Sequence, residues 1–218
     1  MRGKKLGYNR AMHSETSAEK APRANPFTAD DVAAILRDHG WLAEDRVSSF
    51  ALFASGAVAA GESRVSDLQA WLERAASLLG PQAVEGAADV EAGRARLGDL
   101  LSLVFQYDAK TILGSADAHA VLLRSGAREV IRELAHRVLD GPEVDSDRFK
   151  EIVAALKEKT GRRGPELFQP IRLALAGRAG GGELDRVILL LDEAAKLPFA
   201  ARVKGTRERM LEFCAALD

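Results

Sequence analysis

Residues Phe149–Leu190 read FKEIVAALKEKTGRRGPELFQPIRLALAGRAGGGELDRVILL. Phe149, Ile152, Val153 and Leu156 recur at three and four, the spacing that lines one face of a helix. Asp145 or Ser146 stands where the N-cap of that helix is expected, and Gly161 where it stops. A shorter helix follows. Pro170 is placed near its first turn, where a missing N–H costs nothing, and Gly177 is placed to end it in a left-handed conformation. Leu167, Ile171 and Leu175 then face inward, which leaves Gln169 and Arg172, three apart, on one outer edge. Gly180 to Gly182 make a loop before an apolar helix over residues 184–191.

The same periodicity extends outward. Val121, Leu122, Val130, Ile131, Leu134 and Val138 predict one long amphipathic helix over 116–139, broken by Gly141–Pro142. Leu97, Leu100, Leu101 and Val104 predict another over about 93–106. Ser66 and Gln69 form a capping-box pattern ahead of Leu68, Trp71, Leu72, Ala75 and Leu79, with Gly80–Pro81 as the terminator. Thr28 with Asp31 opens a helix carrying Val32, Ile35 and Leu36 before Gly40, and the apolar stretch 45–60 predicts a buried helix. A last helix is expected from Thr206 to Leu217, and Trp41 and Trp71 are expected in the core. No stretch alternates apolar and polar residues with the two-residue period of a strand, so the fold class is all-α.

Charge divides the chain. Residues 1–26 carry 6 Lys/Arg against 2 acids, lack periodicity and contain Pro22 and Pro26, which predicts a disordered arm. Residues 27–100 carry 6 against 12, so 27–106 is expected to be an acidic helical subdomain and 107–218 a second helical subdomain. Between Lys159 and Arg178 stand five cations (Lys159, Arg162, Arg163, Arg172 and Arg178) and one acid, Glu166. Such a patch on a chain of net charge −1 is either a solvated face or a site for a defined anionic partner. Arg172 and Gln169 likewise have two readings. They pair within the protein, with Glu166 or Glu183 as Arg172's partner, or they present a planar fork and an amide to an unstacked loop nucleotide.

Other chemistries find little support. His39, His119 and His136 have no carboxylate or cysteine at ligand spacing, and the glycines at 180–182 match neither a dinucleotide nor a phosphate-loop fingerprint. No metal and no cofactor is expected. The single cysteine, Cys214, allows no internal disulfide, and no apolar run is long enough for a membrane span, which together predict a cytoplasmic setting.

The segment 149–190 resembles the carboxy-terminal run of bacterial glutamyl-tRNA synthetases: a helix ending in a Lys-rich turn, then LF-x-P-LR-x-ALTG, a short Gly/Pro loop and an apolar helix. LLSLVFQYDAKTIL (100–113) is similar to the segment joining the two anticodon-binding subdomains of that family, and GTRERMLEF (205–213) to its closing helix. The resemblance implies a helical anticodon-binding domain, an α-helix cage of two packed subdomains. It implies RNA contacts at Lys159, Arg162, Arg163, Gln169, Arg172, Arg178 and Leu184, with glutamate or glutamine tRNA as partner. The family's LTG is LAG here (Leu175, Ala176, Gly177), and its reading loop is reduced to Ala179–Leu184, from which weakened nucleotide discrimination is expected.

The HIGH and KMSKS signatures of the family's catalytic half do not occur in this sequence. The expectation is therefore a tRNA-binding module that is non-catalytic alone, freestanding in view of Met1, and able to assist a synthetase catalytic domain or an amidotransferase. Two alternatives stand beside it: the C-terminal portion of a glutamate–tRNA ligase acting with a separate catalytic part, and a protein-interaction module derived from such a domain. The purified chain is expected to give no glutamate-dependent ATP–pyrophosphate exchange at any tRNA concentration. Exchange that survives removal of contaminating synthetase contradicts this.

Overall fold

The structure, a computed structural model, describes residues 25–43 and 58–217. The arm expected over 1–26 lies outside the described residues up to residue 24, and the apolar stretch 45–60 up to residue 57. Among the described residues there is no strand, and no helix is long and apolar enough to cross a membrane.

α1 (Ala29–Asp38) opens with the expected capping box: Thr28 accepts from the Asp31 N–H while Asp31 accepts from the Thr28 N–H. α2 (Val58–Val84) and α3 (Val90–Phe105, capped by Asp89) pack beside it. Short helices α4 (Ala109–Leu113) and α5 (Ala116–Leu122) lead to α6 (Ala127–Leu139), α7 (Ser146–Thr160, capped by Asp145) and α8 (Pro165–Ala176). α9 (Glu183–Ile188), α10 (Leu191–Ala194) and α11 (Thr206–Leu217) complete the chain. α9 touches α8 on one side and α2 and α3 on the other, so the buried apolar residues form one continuous cluster from Phe27 to Phe213.

Four sequence expectations are corrected. α2 begins at or before Val58 and not at Ser66; Gln69 donates instead to Glu73, one turn on. Gly80–Pro81 does not end α2, which closes its last turn through the Glu85 N–H on the Pro81 carbonyl. Gly80 serves a different purpose, as a Cβ there would lie 2.1 Å from the Asn25 side chain, which donates to the Ala76 carbonyl (2.9 Å) and ties the segment before α1 to α2. The helix expected over 116–139 is broken between Leu122 and Ala127, because Gly126 adopts φ +84°, a left-handed conformation that a side chain resists. Finally, the proline in the first turn of α8 is Pro165, and Pro170 lies in the interior. The carbonyl it leaves without a helical donor belongs to exposed Glu166, where water can reach it. Gly177 does end α8 left-handed, at φ +81°.

Aromatic packing joins the N-terminal helices to the rest. Trp41 stacks on Phe105 (4.8 Å), and Phe199 meets both Phe105 and Trp71 edge-on at 5.0 Å. The Trp71 indole N–H donates to the Leu190 carbonyl (3.1 Å), between α9 and α10. Both tryptophans are buried as expected.

α11 carries two buried or half-buried charges that match helix ends. Arg209 is fully buried and donates to the carbonyls of Lys204 (2.9 Å), Leu175 (2.8 Å) and Val104 (2.6 Å), the last two in the closing turns of α8 and α3. Carbonyls there have no donor within their own helix and attract a cation. Tyr107 packs its ring on Arg209 (4.6 Å) and donates its hydroxyl to the Ala174 carbonyl (2.5 Å). Burial pulls the Arg209 pKa down to about 10, so the group stays protonated at neutral pH, and burial pushes the Tyr107 phenol up. Three residues on, Glu212 accepts from the Ala109 N–H (2.9 Å) at the start of α4 and pairs with Lys204. Burial pushes its carboxyl up, but those two partners outweigh it and hold the pKa below its usual value. Asp192 in α10 accepts from the Val144 N–H (2.8 Å) and from both the N–H (2.6 Å) and hydroxyl (2.7 Å) of Thr206, the first residue of α11.

Arg209→Met keeps much of the apolar volume but strands two buried carbonyls and a part-buried one. We expect a loss of about 3–5 kcal/mol of unfolding free energy, read from urea denaturation. A loss below about 1 kcal/mol contradicts this role.

Candidate nucleic-acid interface

The four-residue turn between α7 and α8 is built on Gly161 (φ +66°) and Gly164 (φ +53°), with Lys159 in the last turn of α7 and Arg162 and Arg163 in the turn itself. Lys159 and Arg163 are exposed, and neither has a carboxylate partner among the described residues. Arg162 is held in place. Its guanidinium reaches Glu166 (3.2 Å) and the Ser125 hydroxyl (3.4 Å) and lies against Gly126, where a Cβ would sit 2.6 Å from Nε. The break between α5 and α6 therefore makes room for this arginine.

On α8, Arg172 is 12% exposed and makes a bidentate pair with Asp185 of α9, Nε at 2.7 Å and Nη2 at 2.8 Å. Its Nη1 donates to the Gly180 carbonyl (3.0 Å), and its plane lies over Phe168 at 5.0 Å. Arg172 thus fixes the 177–182 loop between the helices it connects. Its partner is neither Glu166 nor Glu183, the two considered from sequence. Gln169 accepts a hydrogen bond from Arg124, on the turn after α5. Arg178 is exposed on the loop, without an ion pair among the described residues. Leu184 is 3% exposed and packs against Gly180, so in this conformation it shapes the loop from within.

Of the seven sequence candidates, Lys159, Arg163 and Arg178 are presented to solvent, Arg162 and Gln169 are partly engaged, and Arg172 and Leu184 belong to the framework. Sequence reasoning missed Arg124 and Asp185. Arg124 lay inside an apparently continuous helix, and the turn that swings it toward α8 is visible only in the Ser125–Gly126 pair. Asp185 pairs across a loop, at no helical spacing, and only its sign pointed to an arginine partner. Guanidinium and ammonium groups are donors without acceptor capacity, so this surface suits an anion. Among the described residues, no three His, Cys, Asp or Glu side chains gather as a metal-binding group.

A family model described as an anticodon binding domain matches residues 21–197. The glutamate–tRNA ligase 2 of Syntrophus aciditrophicus (strain SB) is 35% identical over 97 residues, covering 44% of this chain and 20% of that protein. The glutamate–tRNA ligase of Bacillus subtilis (strain 168) is 31% identical over 123 residues, 56% of this chain and 23% of that protein. The glutamate–tRNA ligase 1 of Halorhodospira halophila is 40% identical over 76 residues, 35% and 15% respectively. The chain thus spans about a fifth of the length of these curated relatives. No solved structure matches it.

Removing either member of the Arg172–Asp185 pair leaves a poorly hydrated charge. Arg172→Ala and Asp185→Asn are each expected to cost roughly 2–3 kcal/mol. Both should also speed tryptic cleavage after Arg178, because the loop loses its tether. Cleavage at the unmodified rate in both variants shows that the pair does not hold the loop.

Proposed function

This chain belongs to the anticodon binding domain family, and from that premise we propose that it is a tRNA-binding module, taking the anticodon arm of a glutamate or glutamine tRNA and catalysing nothing alone. The observation that carries the reading is the set of exposed cations without carboxylate partners, Lys159, Arg163 and Arg178, around α8. They meet phosphates, which position an RNA without reading it. The helical subdomains 27–106 and 107–218 act as one support for that face.

Base reading is weak on this account. Arg172 is already committed to Asp185, and Gly180 to Gly182 offer no side chains to a base edge. A bidentate arginine contact to the right base is worth roughly 1–3 kcal/mol, so its diversion to an internal carboxylate removes discrimination of that order. We therefore expect a preference for glutamate tRNA over an unrelated tRNA below about 100-fold, or about 2.7 kcal/mol.

The short span relative to the ligases favours a second reading, in which the module works beside a separate catalytic part of a glutamate–tRNA ligase. Addition of the chain then stimulates aminoacylation by that part. A cytoplasmic site of action is consistent with either version.

Affinity for glutamate tRNA should fall with salt on a log–log plot. K159Q/R163Q/R178Q is expected to lower the slope by about 2–3 units, three contacts at roughly 0.7–0.9 each. An unchanged slope in a folded triple variant overturns the assignment of these residues to RNA.

A further inference from the structure

Arg128, Arg132 and His136 follow one another at intervals of four, so they form a single stripe along α6, and Arg124 stands on the turn before it. All four are exposed. Arg128 and Arg132 have no carboxylate partner among the described residues, and the two acids within α6, Glu129 and Glu133, do not line the groove beside the stripe. The stripe is continuous with the surface already described, since Arg124 reaches Gln169 and Arg162 lies on Gly126 at the head of α6.

Between α6 and α11 the stripe borders a groove of about 310 Å³. Ile131, Ala135 and Leu139 from α6 and Leu217 from α11 make its apolar floor, and Arg128, Arg132 and His136 stand at its rim. Among the described residues that line it, one is an acid, Asp140, at the far end. The acids of α11 are occupied elsewhere, Glu208 with Arg202 and Glu212 with Lys204 and the Ala109 N–H. A groove with an apolar floor and a cationic rim matches a nucleotide, which offers a ring to the floor and a phosphate to the rim.

We propose that this groove seats an unstacked nucleotide of the bound RNA, with Arg128 and Arg132 holding its flanking phosphates, as a second contact beyond the turn at 159–163. The proposal rests on the tRNA-binding reading, and the test separates the two. Binding of a glutamate tRNA transcript to the full chain is measured across a salt series for R128Q/R132Q, R128K/R132K, R137Q and A135W, with helicity checked by circular dichroism. R128Q/R132Q is expected to lower the log–log slope by about 1.5 units, while R128K/R132K and R137Q, the last on the opposite side of α6, keep it. A135W fills the floor and is expected to weaken binding about tenfold with the slope unchanged. An unchanged slope in R128Q/R132Q overturns the proposal, as does A135W binding as tightly as the unmodified chain; either is the result expected if the groove takes a protein. If K159Q/R163Q/R178Q lowers the slope and R128Q/R132Q does not, the tRNA reading stands and this proposal alone falls. If the chain binds no tRNA, both fall.

Discussion

Arg209 places a protonated guanidinium in the interior and gives three of its N–H groups to carbonyls of α8, α3 and the segment before α11. Burying a cation costs free energy unless it is fully hydrogen-bonded, and here two of the three acceptors are carbonyls that helix geometry leaves without donors. Each side supplies what the other lacks. Tyr107 adds the Ala174 carbonyl and covers the guanidinium with its ring, so the closing turn of α8 is held at two successive carbonyls. Glu212 extends the same logic with the opposite sign, meeting an N–H at the start of α4. One face of α11 therefore sets the relative positions of α3, α4 and α8.

That constraint reaches the surface through α8. Its buried edge is fixed by Leu167, Ile171 and Leu175 and by the Arg209 contact, and its outer edge presents Phe168, Gln169 and Arg172. Arg172 then holds the glycine loop through Asp185 and the Gly180 carbonyl. The exposed cations project from a turn and a loop whose ends are anchored, which reduces the entropy lost when they engage an anion. A rigid presentation of charge with little means of reading bases is the physical content of the proposed role.

Much of this was legible in the sequence, because helices announce themselves through period and caps. Thr28, Asp145 and Gly177 do in the structure what their residue types suggest. Three of the four helix misreadings share a cause: Gly and Pro are ambiguous without tertiary context. Gly80 looked like a terminator and is a notch for Asn25, while Gly126 looked like an ordinary helical position and is a left-handed break beneath Arg162. The candidate site was legible in its charges and not in its pairings. Local spacing could not show that Arg172 would find Asp185, nor that Arg209, unremarkable in TRERMLEF, would be fully buried.

Asp192 has a kinetic meaning. A helix normally frays from its ends, its terminal amides exchanging with solvent far faster than its centre. α11 is restrained at its first residue by a carboxylate fourteen positions earlier, and the same carboxylate holds the Val144 amide in the connection from α6 to α7. Opening the start of α11 therefore releases that connection as well, and the Arg209 and Glu212 contacts lie within the next two turns. Transient opening at this end becomes a shared, cooperative event, so the amides of Val144 and Thr206, sixty-two residues apart in sequence, exchange as members of one unit.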